Sequence, residues 1–225
     1  MRIGVISEGH ADRAVISNIL TGLTGLDISA FEALRPIYTI DETDKAYKSP
    51  QTFSSWSVVK EECENRELID GFLAFEGQDF IVIHIDSDKA HEYGIVRPDK
   101  KSETYCEDLR GLIILEINEA WFKEDLSESI LYAIAIEEID AWILAIFEDG
   151  DTSKPYDAKG RLVKLLNKKG INTASNYDNY YSISKPLSKV KVIERGKYLD
   201  KNCSLKAFYE EIETKVLPKL QQEIT

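Results

Sequence analysis

The segment Asp79-Phe-Ile-Val-Ile-His-Ile-Asp86 constrains the fold of this chain more than any other. It is apolar at nearly every position, too short for an ordinary helix and bounded by acids. That is the pattern of a strand buried on both faces of a parallel sheet. Two further runs share it: residues 2–7 lead into Glu8-Gly9-His10, and residues 129–136 lead into Glu137-Glu138. A fourth strand is expected over 31–40, with Pro36 marking an edge or an irregularity.

The intervening segments read as helices. Asp12 is placed to cap one that runs to about Leu23, stopped by Gly22 and Gly25. A second is expected over 52–75, burying Val58, Val59, Leu68, Ile69 and Phe72. A third covers 101–122, with Leu109, Leu112, Ile113, Leu115 and Ile117 inward, and a fourth begins at 137. Strands alternating with helices predict an α/β fold: a mostly parallel sheet built from β-α-β units and flanked by helices.

After Gly150 the texture changes. Helices are expected over 154–169, 186–196 and 204–223, the last capped by Ser204, with an Asn-, Ser- and Tyr-rich loop over 170–185. This divides the chain into an α/β domain over 1–150 and a basic helical C-terminal extension over 151–225. The charge follows the same division. Residues 154–225 hold 15 Lys/Arg against 8 Asp/Glu, a net +7, within a chain of net charge −12. An acidic body with a basic extension keeps nucleic acid among the partners that the overall charge alone would argue against.

With 225 residues and 43% hydrophobic content, the chain can bury a sizeable core. No apolar run approaches the roughly 18 residues that span a bilayer, so no membrane partner is expected. The opening residues read as a strand entering a loop and not as a signal peptide. Cys63, Cys106 and Cys203 are isolated, with neither a CxxC nor zinc-ligand spacing. A disulfide framework is therefore not expected, and the reading favours a reducing cytoplasm.

Three predicted strands end in acids: Glu8, then Asp86 and Asp88, then Glu137 and Glu138. In an open parallel sheet, functional residues collect beyond the carboxyl ends of the strands. Carboxylates that converge there repel one another unless protons or a cation neutralise them. Ligation by Asp and Glu oxygens suits Mg²⁺ or Mn²⁺ better than zinc. Asp86 and Asp88 are two apart in an extended segment, so they can point the same way and share an ion. A turn capping the next helix would show the same Asp-x-Asp.

The order strand-Glu8-Gly9-His10-Ala11-Asp12-helix, then strand-Asp86-Ser87-Asp88, resembles the Toprim domain of type IA topoisomerases, DnaG-type primases, RecR proteins and OLD-family nucleases. Glu137 to Leu144, followed by Asn202 to Phe208 before the last helix, is similar to a Toprim-like family of unknown function, related to the nuclease half of OLD proteins and to RloB-type proteins. The resemblance implies a Toprim-like (Rossmann-like) domain with Glu8, Asp12, Asp86, Asp88, Glu137 and Asp140 as the metal set. Glu137 and Glu138 are not distinguished. It further implies phosphodiester cleavage with Glu8, Asp86 and Asp88 as catalytic residues and Lys89 as the nearest lysine to assist. Lys185, Lys189, Lys191 and Lys197 would then lie along the nucleic acid, most simply DNA. No GxxxxGK[ST] loop is present, so an ATPase of the OLD kind would be a separate subunit. A role in phage defence or DNA repair, and a homodimer, are compatible with that family. A metal- or partner-binding scaffold without catalysis, and a small-molecule phosphohydrolase, are the alternative functions.

Three further groups bear on the site. His84 shares the face of Asp86 and reads as a hydrogen-bonded core histidine, whereas His10 has better access to a phosphate. Trp142 is spaced for core packing with Ile139 and Ile146. Tyr177, Tyr180 and Tyr181 either stack on bases or anchor their loop to the body.

Overall fold

The computed structural model describes residues 1–36, 56–123 and 126–224. Four strands form one sheet: β1 (Arg2–Ile6), β2 (Phe31–Arg35), β3 (Gln78–Asp86) and β4 (Ile130–Ala135). Their order is β2-β1-β3-β4 and every neighbouring pair is parallel. The apolar runs behave as expected: β4 is buried along its whole length and β3 at Phe80–Ile85. The edge strand β2 is mostly half-buried. Of the strand expected over 31–40, residues 37–40 lie outside the described residues.

Helices cover both faces. On one lie α1 (His10–Thr24), α5 (Asp140–Phe147), α6 (Ala158–Lys168), α7 (Tyr177–Ile183), α8 (Val190–Gly196), α9 (Tyr198–Lys201) and α10 (Cys203–Ile224). On the other lie α2 (Trp56–Asn65), α3 (Glu67–Leu73) and α4 (Tyr105–Glu116), which continues as a π-helical turn over Ile117–Phe122. The first core joins Val5 and Val82 of the sheet to Ile19 of α1 and to Leu162, Ile183 and Phe208 from beyond residue 150. The core thus runs without a break across the point where the sequence texture changes.

Several local expectations need correction. Gly9, not Asp12, is the N-cap of α1; Asp12 lies in the first turn, its carboxylate beside Gly9 as in a capping box. Gly22 does not end α1. It lies inside the helix, where an added Cβ would stand 2.7 Å from the Leu187 carbonyl oxygen, so glycine lets the later helices approach. Gly25, at φ 70°, makes the left-handed C-cap. The helix expected over 52–75 is two helices, broken at Arg66 with φ 59°, and residues 52–55 lie outside the described residues. Leu112 and Leu115, expected inward, are 38% and 50% exposed. The loop expected over 170–185 contains α7. Asn202, not Ser204, caps α10: its Oδ1 accepts from the Leu205 N–H at 2.9 Å.

The cysteine reading also changes. Cys106 of α4 and Cys203 of α10 form a disulfide, with Cα atoms 6.5 Å apart across 97 residues of sequence, while Cys63 is free and buried. Cysteine usage therefore no longer speaks for a reducing compartment. Among the described residues no helix is long and apolar enough to cross a membrane.

Candidate active site

In the order β2-β1-β3-β4 the chain leaves β1 in both directions, so the switch point falls between β1 and β3. Ligands of open α/β sheets bind in the crevice beyond the carboxyl ends at such a point. Glu8 follows β1 and Asp86 ends β3, one on each side of it. A cleft of about 600 Å³ opens there, lined by Glu8, His10, Asp12, Asp86, Glu138 and Asp140, with Lys159, Ser175, Asn176, Tyr177, Asp178 and Tyr180 on the side of the later helices.

The acids are held by the fold. Glu8 Oε1 accepts from the Asp86 N–H at 2.6 Å, and Asp86 Oδ1 accepts from the Ile139 N–H at 2.8 Å. Three strand ends are thereby tied together through two carboxylates. Asp140 Oδ1 accepts from the Tyr180 hydroxyl at 2.6 Å, so α7 reaches into the acidic cluster. His84 is fully buried beneath it, with Nε2 3.3 Å from Asp86 Oδ1 and Nδ1 4.0 Å from Asp12 Oδ2. Among the described residues neither ring nitrogen finds a hydrogen-bond partner of acceptable geometry. The expectation of a hydrogen-bonded core histidine is therefore met in its burial and not in its bonding.

Electrostatics follow from this crowding. Burial, then the Asp86 charge, holds the Glu8 carboxyl well above its ordinary range. Burial, then Asp12 and Asp140, does the same to Asp86. Asp12 and Asp140 are also raised by burial, against the opposing influence of His84 on the first and the Tyr180 hydrogen bond on the second. Burial lowers His84, which keeps its imidazole neutral. Each of these carboxyls therefore holds its proton to a higher pH than an exposed carboxyl does, and a bound cation would compete with that proton.

Other expected residues are placed differently. Glu137 and Glu138 diverge. Glu137, at φ 65°, turns to Arg97 and Lys100, each 2.8 Å from its Oε1, whereas Glu138 lines the cleft. Burial would raise Glu137, but hydrogen bonds from Lys100 and Arg97 outweigh it and hold its carboxyl below the ordinary value. Asp88 is half-buried and outside the cleft lining, yet its charge is felt by both Glu8 and Asp86. Lys89 is exposed beside it, also outside the lining. Lys185, Lys189, Lys191 and Lys197 are exposed and off the cleft, and Lys185 Nζ donates to the Tyr181 hydroxyl at 3.0 Å.

Among the described residues Lys159 is the lysine that lines the cleft, near the start of α6, and its backbone N–H donates to Glu138 Oε2 at 3.2 Å. Its sequence setting, Asp157-Ala-Lys-Gly, carries no signal beyond a helix start. Tyr180 was legible as one of three tyrosines, and the anchoring alternative is the one it follows. Tyr177 stacks on Tyr181 at 5.9 Å, with the Arg13 guanidinium 5.0 Å from the Tyr177 ring centre.

The donor set suits a hard divalent cation, since it is made of carboxylates with a charge excess that needs compensation. Among the described residues, however, no three His, Cys, Asp or Glu side chains stand as a formed ligand cage. One oxygen each of Glu8, Asp86 and Asp140 is committed to a protein donor. Neither a scan against protein-family models nor searches of curated proteins and solved structures finds a match to this chain.

Proposed function

We propose that this chain is a Mg²⁺- or Mn²⁺-dependent nuclease of Toprim-like type. One observation carries the reading: buried or half-buried carboxylates from the ends of β1 and β3, the first turn of α1 and the start of α5 converge on one cleft at the sheet's switch point. The motif order Glu8…Asp12…Asp86-x-Asp88 adds the family resemblance. Glu8, Asp12, Asp86 and Asp140 would hold the cation, with Glu138 at the edge and Asp88 adding negative charge from outside the lining. A divalent ion so held supplies charge stabilisation at a phosphate and a water of lowered pKa.

The chain's own groups have separate tasks. Lys159, which lines the cleft and whose charge acts on Asp12 and Asp140, offers a positive charge to the phosphate, the part that the sequence alone gives to Lys89. Tyr180 fixes the orientation of Asp140, and the Ile139 N–H fixes that of Asp86. A separate ATPase subunit and a role in defence or repair belong to the resemblance alone.

The test is cleavage of supercoiled plasmid, linear single-stranded DNA and RNA in Mg²⁺ or Mn²⁺, beside Asp86→Ala/Asp88→Ala protein of verified fold. Cleavage of any of them, lost in the variant, supports the reading; undiminished cleavage overturns it. Metal-dependent thermal stabilisation without cleavage would favour a non-catalytic metal-binding scaffold. Turnover of small phosphate monoesters alone would favour a phosphohydrolase.

A further inference from the structure

The cleft's depth and lining restrict what a nuclease here can accept. Its volume of about 600 Å³ falls in the roughly 300–1,000 Å³ range of pockets that enclose one small molecule. Two carboxylates at its floor are nearly withdrawn from the surface, Glu8 at 8% exposed and Asp140 at 5%, and Asp12 and Asp86 beside them are half-buried. The wall above them is α7 and the segment before it, held on α1 by Asn18, whose Nδ2 donates to the Tyr181 carbonyl and the Ser184 hydroxyl at 2.8 Å each. That wall is packed into the core through Tyr180 and Ile183.

A duplex offers its phosphates on the outside of a stiff cylinder with grooves about 12 and 6 Å wide. Bringing one of them to this floor requires extruding the nucleotide, as enzymes that act on single bases do. A nucleotide at a strand end needs no extrusion. Charge gives an independent restriction. Tracking a phosphate backbone takes a series of Lys and Arg contacts. This cleft presents Lys159 against Glu8, Asp12, Asp86, Glu138, Asp140 and Asp178, and the four exposed lysines of the extension lie off it.

We propose that the cleft takes one nucleotide unit bearing a single reacting phosphate, presented by a single-strand end or by a small nucleotide ester, and excludes duplex and strand interiors. This rests on the nuclease reading above. Hydrolysis would place the water oxygen on phosphorus and break the bond to the neighbouring nucleoside's oxygen. That oxygen takes the proton, and one mononucleotide and a shortened strand are released.

The experiment compares one oligonucleotide in two forms, linear and ligated into a covalently closed single-stranded circle, in Mn²⁺ and in Mg²⁺. The third substrate is the p-nitrophenyl ester of thymidine 5′-monophosphate, and Asp86→Asn protein of unchanged fold is the control. The expected result is mononucleotide release from the linear strand, at least about 100-fold slower attack on the circle, and turnover of the ester. A 100-fold ratio corresponds to about 2.7 kcal/mol of discrimination. Equal rates on circle and linear strand would overturn this inference and leave the nuclease reading standing. Turnover of the ester alone would support the single-nucleotide cleft, assign it to free nucleotides and overturn the strand-cutting role. No turnover of any of the three would overturn both.

Discussion

Glu8, Asp12, Asp86 and Asp140 all have carboxyls raised by burial, the first three further by one another or by Asp140. Their ordinary values are 4.5 for Glu and 3.8 for Asp, so above about pH 4 the folded chain binds protons more tightly than the unfolded one. The stabilisation is complete below the unfolded values and is lost as pH rises through the folded ones. These four acids therefore lower the melting temperature of metal-free protein as pH rises from about 4 toward neutrality, against the opposite contributions of His84 and Glu137, whose values are lowered. Glu8→Gln/Asp86→Asn should flatten that slope, and saturating Mg²⁺ should restore stability on the alkaline side by favouring the ionised acids. Thermal melts across pH check all three; a slope unchanged in the double variant would show that other groups carry it. Glu8 and Asp86 were legible because each follows an apolar run, and strand ends in a parallel sheet share one edge. The choice between Glu137 and Glu138 was not legible, because it depends on the positive φ at Glu137, and no local residue demands that conformation.

At the level of elements, the turn from β4 into α5 owes its shape to a segment some 60 residues later. Asn202 Nδ2 donates to the carbonyls of Ala141 and Thr152 at 3.3 and 2.9 Å, while its Oδ1 caps α10. The Ser204 hydroxyl accepts from the Ile136 N–H and from Trp142 Nε1. Both side chains are fully or almost fully buried. Asn202→Ala would strand these partners and remove the cap, at a cost of about 2–4 kcal/mol. The same variant should weaken metal-dependent stabilisation, since Glu138 and Asp140 lie on the turn it braces; unfolding curves with and without Mn²⁺ measure both. Between Asn202 and Ser204, Cys203 joins α10 to α4 through Cys106. Reduction should therefore lower stability by about 2–4 kcal/mol, as is typical for a disulfide. The unsubstituted protein should weigh about 2 Da less oxidised than reduced, for the two hydrogens lost when the bond forms, and a Cys106→Ser/Cys203→Ser pair should abolish both responses. Sequence spacing hid this bond because the two cysteines are 97 positions apart, with β4 and helices α5 to α9 between them. It also overstated the buried face of α4: Leu112 and Leu115 fit the period, but the sheet covers a narrower stripe through Leu109, Ile113 and Ile117.

For the whole molecule, the contrast between an acidic body and a basic extension suggested two parts that meet near residue 150. The packing argues that they fold as one. Leu162, Leu166, Ile183, Leu187, Phe208 and Ile212 share a continuous core with Val5, Val82 and Leu131 of the sheet. Gly22 lets the backbone at Leu187 and Ser188 approach α1 more closely than any side chain would allow. Composition reports the surface of the extension, whereas its inward positions carry the fold, which is why the charge boundary does not coincide with a boundary in the core. A chain ending at Gly150 would expose the α1 side of the sheet and leave Asp140 without Tyr180 and the cleft without its outer wall. Such a fragment is expected to lack a cooperative thermal transition and to bind a hydrophobic dye, because a large exposed apolar face is not tolerated in a soluble monomer. It should also lose metal-dependent stabilisation. Adding residues 151–225 as a separate chain should restore a cooperative transition if core complementarity alone drives docking. A fragment 1–150 that melts cooperatively and still binds Mn²⁺ would instead make the later helices an accessory to the site.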